Sequence, residues 1–265
     1  MCSPEVIAKV AAHMAPADRP TGAAARRSES EVPDQIVSFS RVVDLTHPLV
    51  PDFPTPFGRS ELEIEPVLKF AKDRWNLNRW RINEHMGTHI DAPIHIDSDG
   101  IAVEQIPVKD LVIPLAIIDI KSRADEDADT ELTPDDIKNW EALHGPLPRG
   151  CCVAMDSGWD RHAPGPKYCD RDEDGVMHFP GFHPETAEML VDDRQVLGLG
   201  VDTTSLDHGC STEHMAHRIW LPAGGWIVEG LANLSKLPQS GATIVVGGPT
   251  VVGATGGVSR IMALV

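Results

Sequence analysis

The chain has 265 residues, 42% of them hydrophobic and 24% charged, with a formal net charge of −17. That composition is ordinary for a folded globular protein, and so strong a negative balance argues against a phosphate backbone or an anionic membrane as partner. No run of eighteen apolar residues is present, which excludes a membrane-spanning helix by sequence.

The N-terminal stretch differs in composition from the rest. Ser3 to Met14 reads as a short amphipathic helix. Ala15 to Asp34, rich in Ala, Pro, Arg, Ser and Glu, reads as a tether. Arg26-Arg27 has the look of an export signal, but no apolar segment follows, so no signal peptide is expected. Residues 1–41 are assigned as a flexible or docking arm and residues 42–265 as one domain. The five cysteines, Cys2, Cys151, Cys152, Cys169 and Cys210, contain no Cys-x-x-Cys pair. That pattern fits a reducing, cytoplasmic setting. Cys210, near several histidines, is a minor candidate for a nucleophile.

Val42 to Leu45 reads as the first strand, closed by Thr46-His47-Pro48 and a proline-rich loop to Pro56. Leu62 to Phe70 reads as a second, and Trp80 to Ile82 leads into a histidine-rich segment. Leu111 to Ile120 is aliphatic enough for a buried strand, with Pro114 suggesting an edge or a break. Thr133 caps a helix that starts at Pro134, carries acids in its first turn, and stops near His144 before Gly145-Pro146. Cys151 to Met155 is a buried strand ending in the turn Asp156-Ser157-Gly158-Trp159. A second helix spans His183 to Asp192. Further strands are expected at Val196 to Val201, Trp226 to Gly230, Thr243 to Val246 and Ser259 to Leu264. Strands outnumber helices and alternate with them unevenly, which predicts an α/β domain on a mixed sheet.

The segment His85-Met86-Gly87-Thr88-His89-Ile90-Asp91-Ala92-Pro93-Ile94-His95 packs three histidines and an aspartate into eleven residues. These side chains bind zinc-like or manganese-like ions, and histidine also moves protons near neutral pH. His85, His89, Asp91 and His95 alternate with Met86, Ile90 and Ile94, the two-residue period of a half-buried strand. A straight strand would hold His85 and His89 ~13 Å apart, too far to share an ion. Gly87, Thr88, Ile90 and Pro93 argue against a helix. The expectation is a strand bent at Gly87-Thr88 that folds both imidazoles onto one ion, with Asp91 joining them. Downstream lie further ligand types, His208, His214, His217 and Glu229. Glu229 falls inside the apolar run Trp226 to Leu231, where a buried carboxylate needs a partner, donors or a metal.

His85-x-Gly87-Thr88-His89-x-Asp91-x-Pro93-x-His95 resembles the signature of the cyclase-like metal-dependent hydrolases, the family of kynurenine formamidases and isatin hydrolases. Asp44-Leu45-Thr46-His47-Pro48 resembles that family's opening strand, and Asp156-Ser157-Gly158-Trp159 its central active-site turn. His217, twelve residues before Glu229, resembles its late ligand pair. The resemblance spans residues 42–265. It implies a swivelling β/β/α fold, a homodimer or homotetramer, and one or two divalent ions, manganese or zinc. His85, His89 and Asp91 would hold the first ion. Asp91, His217 and Glu229 would hold a second, with Asp91 bridging, and His95 would carry the proton. Glu229 tilts the expectation toward two metals, as in formamidases, while the inserted segment Arg161 to Phe182 bears on the substrate.

The implied activity is cleavage of an N-formyl arylamine or a cyclic amide, as in N-formylkynurenine or isatin, by a metal-activated water. The alternatives are an ester or lactone hydrolase at the same site, or a non-catalytic metal- or ligand-binding protein. Flat walls for an aromatic substrate are expected first from Trp159, then from Phe53 and Trp80, with Trp75 and Phe57 behind. The partner is a small-molecule amide, with no nucleic acid and no membrane.

Overall fold

The computed structural model describes residues 37–57 and 62–265. The expected amphipathic helix, the tether and Arg26-Arg27 lie outside them. Ser40 and Arg41, at the end of the expected arm, are tied to the domain. Both backbone N–H groups donate to the Val265 carbonyl.

The strands in chain order are β1 (Val42–Asp44), β2 (Glu63–Leu68), β3 (Leu77–Arg81), β4 (His89–Asp91), β5 (Val112–Asp119), β6 (Glu131–Leu132), β7 (Cys152–Asp156), β8 (Gly181–Phe182), β9 (Gly198–Val201), β10 (Trp226–Glu229), β11 (Ala242–Gly247), β12 (Gly256–Val258) and β13 (Arg260–Leu264). The helices are α1 (Phe70–Asp73), α2 (Lys121–Glu126), α3 (Pro134–His144), α4 (Pro184–Asp192) and α5 (Met215–Trp220). Nine strands form one sheet in the order β1-β13-β11-β5-β7-β9-β10-β4-β12. β5, β7, β9 and β10 are parallel, and every other pairing in the sheet is antiparallel. This is the mixed-sheet α/β class that the element pattern predicts, in a single domain. Among the described residues no helix is long and apolar enough to cross a membrane.

The two-residue period of the strands divides the core. On β5, Ile113, Leu115 and Ile117 enter one cluster with Ile244, Ile261 and Val228. Ala116 and Ile118 enter the other, with Trp140 of α3, Leu190 of α4 and Trp220 of α5. Helices therefore cover one face, while residues from strands across the sheet meet in the cluster on the other.

Several elements depart from the sequence reading. Pro114 pointed to an edge or a break, and β5 is internal. Its parallel pairing with β7 begins only at Leu115 opposite Cys152, so at Pro114 the strand has a neighbour on one side alone. The expected strand to Phe70 ends at Leu68, and α1 begins at Phe70. The Thr133 cap holds: its backbone N–H and its hydroxyl both donate to Asp136 Oδ2 at 2.8 Å. β12 and α5 had no sequence counterpart.

Candidate active site

The histidine segment is a short strand between two turns. Gly87 has φ +61°, and a Cβ there would also collide with the Leu49 side chain. Pro93–His95 winds into a 3-10 turn. The expected bend at Gly87-Thr88 is present, and Thr88 pins it. Its Oγ1 donates to the Gly230 carbonyl at 2.5 Å and accepts from His47 N at 2.9 Å. The antiparallel register then sets His89 opposite Glu229 and Asp91 opposite Ile227. Ile90 and Val228 enter the first core cluster and Ile227 the second. His89, Asp91 and Glu229 therefore project on the helix-covered face, where α5 delivers His217.

Asp91, 1% exposed, sits at the centre. Its Oδ1 lies 2.6 Å from His85 Nδ1 and 3.3 Å from His89 Nε2, and its Oδ2 lies 3.6 Å from His217 Nε2. Glu229 Oε2 is 3.4 Å from His89 Nε2, and Oε1 is 3.1 Å from His217 Nε2. Glu229 Oε1 also accepts from Leu206 N at 2.7 Å.

The outer nitrogens of these rings are engaged. His89 Nδ1 donates to Gly87 O at 3.0 Å, and His217 Nδ1 donates to Asp207 Oδ2 at 2.5 Å. His85 Nε2 donates to Thr255 Oγ1 at 2.8 Å, and the Thr255 hydroxyl donates onward to Glu84 at 2.6 Å. These partners fix the tautomers and leave the inner nitrogens as lone pairs aimed at carboxylate oxygens. Lone pairs facing carboxylates repel unless protons or a cation lie between them. His89 Nε2 is buried and has no hydrogen-bond partner. A divalent cation fits this donor set and resolves that orphaned atom.

The charges of the centre lead to the same requirement. Burial would lower His89, but Asp91 and Glu229 outweigh it and push it up to about 10. Burial would lower His217 too, and Asp207, Asp91 and Glu229 hold it well above its ordinary value. Burial would raise Asp91 and Glu229, yet the surrounding imidazoles keep both below the usual carboxylate range. The carboxylates thus draw positive charge onto the cluster, and a metal would take the place of those protons. His95 moves the opposite way. Burial first, then repulsion from His85 and His217, lowers it to about 4 against the pull of Asp91.

The donors group differently from the expected split. His89, Asp91 and Glu229 bring ligand atoms within 4.8 Å of one another, and so do His85, Asp91 and His95. Asp91 belongs to both sets, in keeping with a bridging place. The cross-strand register pairs His89 with Glu229, and His85 instead stacks on His95 with ring centroids 3.9 Å apart. A close approach makes room for that stack. Gly256 of β12 lies under the His85 ring, where a Cβ would strike Cε1.

The expected substrate walls fall elsewhere. Trp159 and Phe53 are 2% and 1% exposed, packed with Met86, Tyr168 and Phe179. The Trp159 indole N–H donates to the Tyr168 carbonyl at 3.0 Å. Both side chains fill core beside the histidine segment and do not stand as open walls. Trp80 is 69% exposed on β3 of the β2–β3 hairpin, with Trp75 at 72% nearby in sequence. The Asp156 turn binds a buried aspartate, Asp202, through Ser157 and Trp159. Cys210 is not among the Asp91 donors, and burial with the Asp129 carboxylate raises its thiol, which removes the nucleophile reading. Sequence reasoning missed Asp207. A carboxylate ten residues before a candidate histidine carries no periodic signal, and only the buried loop after β9 brings the two together.

Residues 43–208 match the Cyclase family. The chain is 32% identical over 246 residues to isatin hydrolase of Roseibium aggregatum, covering 84% of this chain and 91% of that protein. It is 28% identical over 163 residues to kynurenine formamidase of Salinibacter ruber, covering 62% of this chain and 68% of that one. A crystal structure of an isatin hydrolase bound to the product analogue thioisatinate superposes with a TM-score of 0.78 at 31% identity, covering 84% of this chain and 92% of that one. With the family matched over most of the domain and a relative this similar across nearly its whole length, the chain belongs to the Cyclase family.

Proposed function

We propose that this protein is a metal-dependent amidohydrolase that opens a cyclic aryl amide of the isatin type, with an N-formyl arylamine as the second substrate class. One observation carries the reading: the inner nitrogens of three imidazoles converge on the buried Asp91 carboxylate, two of them also face the buried Glu229 carboxylate, and their outer nitrogens are already engaged. His85, His89, Asp91, His217 and Glu229 would hold divalent manganese or zinc. Asp91 faces His85 and His89 through Oδ1 and His217 through Oδ2, which supports two ions over one. When bound, the metal polarises the amide carbonyl and lowers the pKa of a water from ~15.7 toward ~7.

The chain's own residues do the remainder. His95, neutral at pH 7 with its pKa near 4, accepts the proton of the attacking water and returns it to the departing nitrogen. The amide C–N bond breaks, the carbonyl carbon becomes a carboxylate, and the nitrogen leaves as an amine. Asp207 holds His217 in one tautomer, and Thr255 with Glu84 does the same for His85. The ring-opening substrate is favoured over the formamide because similarity to the isatin hydrolase extends over 84% of the chain against 62% for the formamidase.

The protein acts as a homodimer or homotetramer in the cytoplasm on a small-molecule amide. Ile64, Phe70, Trp75, Leu77 and Trp80, all exposed on and around the β2–β3 hairpin, support self-association through that hairpin.

The test is elemental analysis of protein purified without added metal, with isatin, N-formylkynurenine and an aryl lactone assayed in parallel before and after chelation. Bound manganese or zinc with chelator-sensitive isatin opening is the expected result. Formamide cleavage alone would move the assignment to the second substrate class, and lactone cleavage alone would remove the amide. A chain that binds no metal after reconstitution would end the mechanism.

A further inference from the structure

A second set of mixed ligand atoms lies outside the Asp91 centre. Asp129, His208 and Cys210 bring one ligand atom each within 4.8 Å of one another, all on half-buried residues. Cys210 Sγ is 3.3 Å from His208 Nδ1. The other ring nitrogen, His208 Nε2, faces Glu131 Oε1 at 3.8 Å. Asp129 Oδ2 is paired with His178 Nδ1 at 2.8 Å, while Asp129 Oδ1 is buried and has no hydrogen-bond partner. The chain is folded to make this meeting. Gly209 N donates to the Phe179 carbonyl at 2.8 Å, and a Cβ on Gly209 would strike the Met177–His178 backbone. The loop after β9 is thereby pressed onto the segment that holds His178 and, through it, Asp129. Glu131, His208, Cys210 and Ser211 also line a cleft of about 290 Å³.

We propose that Asp129, His208 and Cys210 form a peripheral site for a thiophilic divalent cation of the zinc type, beside the cleft that His208 and Cys210 line. Sulfur, imidazole and carboxylate together select zinc or cobalt over manganese, calcium or magnesium. Glu131 behind His208 and His178 behind Asp129 play the part of the outer partners that orient metal ligands. On binding, the S–H bond gives way to an S–metal bond and the proton leaves to solvent. The net charge of −17 favours cation capture in general, but only the sulfur distinguishes this site from the Asp91 centre. His208 directly follows Asp207, so the two sites must be read separately.

Cobalt(II) gives that separation. Thiolate ligation produces a sulfur-to-cobalt charge-transfer absorption in the near ultraviolet, and the nitrogen and oxygen donors around Asp91 cannot. Chelator-stripped full-length protein titrated with Co²⁺ is expected to develop this band, and Zn²⁺ is expected to bleach it while Mn²⁺ does not. Cys210→Ser should abolish the band and remove about one equivalent of bound cobalt. His208→Ala should weaken binding about tenfold or more. Cys2→Ser, in the undescribed N-terminal residues, should leave the band intact. Circular dichroism of each variant separates loss of a ligand from loss of the fold. Absence of the band in folded wild-type protein, or its persistence undiminished in Cys210→Ser, would overturn the site.

Discussion

Asp91 and Asp202 are both buried aspartates at the end of a short strand, 1% and 0% exposed, and they have opposite surroundings. Asp202 is met by groups that bring their own protons. Ser157 Oγ donates at 2.6 Å, Trp159 N at 2.9 Å, and Ser157 N at 3.1 Å and 3.2 Å to the two oxygens. Asp91 is met by the inner nitrogens of His85, His89 and His217, whose protons are committed to Thr255, Gly87 and Asp207. One carboxylate is satisfied by the protein and serves the fold. The other is complete only with a cation. Burial of a charged side chain does not mark a metal ligand. The protonation of its neighbours does.

The sharpest way to break this contrast is Asp91→Asn. The amide keeps the shape and removes the charge that both donor sets share. With manganese as the added ion, bound metal and turnover should both fall below detection while the fold is retained by circular dichroism. Undiminished metal in that variant would place the ion elsewhere.

His95→Ala comes next. As proton carrier His95 should cost about 10²–10⁴-fold in kcat with metal retained. Its ligand atom lies within 4.8 Å of those of His85 and Asp91, so loss of metal in this variant would make it a ligand and leave the proton to another group. The same experiment run against pH has a definite sign. His89 and His217 are raised, so protons compete with the metal and affinity should climb with pH, about tenfold per unit for each proton displaced. His95 is lowered to about 4, so its base form persists through pH 5–7. Any acid limb in that range should coincide with metal release and move to lower pH when excess metal is added.

Asp207→Asn tests the outer partner of His217. Outer-partner changes of this kind cost about 10–100-fold in metal affinity or activity. Because the amide can still accept from Nδ1 through its oxygen, Asp207→Ala should be the more severe of the two. Equal behaviour of both variants and wild type would show that α5 alone positions His217.

How much of this could be read from the chain depends on the kind of signal each part leaves. The His85–His95 segment carries ligand chemistry at a two-residue period, and its bend follows from Gly87, so both were readable. The mixed sheet followed from aliphatic runs such as β5 and β7. α5 spans six residues, too few to express a helical period. β12 begins Gly256-Gly257 and has no alternation to detect. Those glycines answer contacts with His85 and Pro249, which exist only in the folded chain. Trp159 looked like a substrate wall because it follows a polar turn. That turn points its donors inward to Asp202 and takes the indole with it. The same reason hid Asp202: its partners lie about 45 residues away in sequence, and nothing local announces them.

The smallest predicted effect is the one that isolates Asp202. Asp202→Asn leaves one acceptor oxygen for the Ser157 and Trp159 donors and turns an NH₂ group toward the rest. That conflict should cost about 1–3 kcal/mol, a few degrees of Tm in a chain of this size, with metal content and kcat of the folded fraction unchanged. The pH dependence has a sign as well. Burial raises Asp202 to about 7 in the folded protein, above its unfolded value near 3.9. The folded state therefore binds more protons than the unfolded state between those limits, and this group's contribution to stability falls as pH rises from about 4 to about 7. The asparagine variant lacks that term. The Tm advantage of wild type over Asp202→Asn should accordingly be larger at pH 5 than at pH 8. A margin equal at pH 5 and pH 8 would mean that the Ser157 and Trp159 donors, rather than burial, dominate the carboxylate, and that Asp202 is ionised throughout.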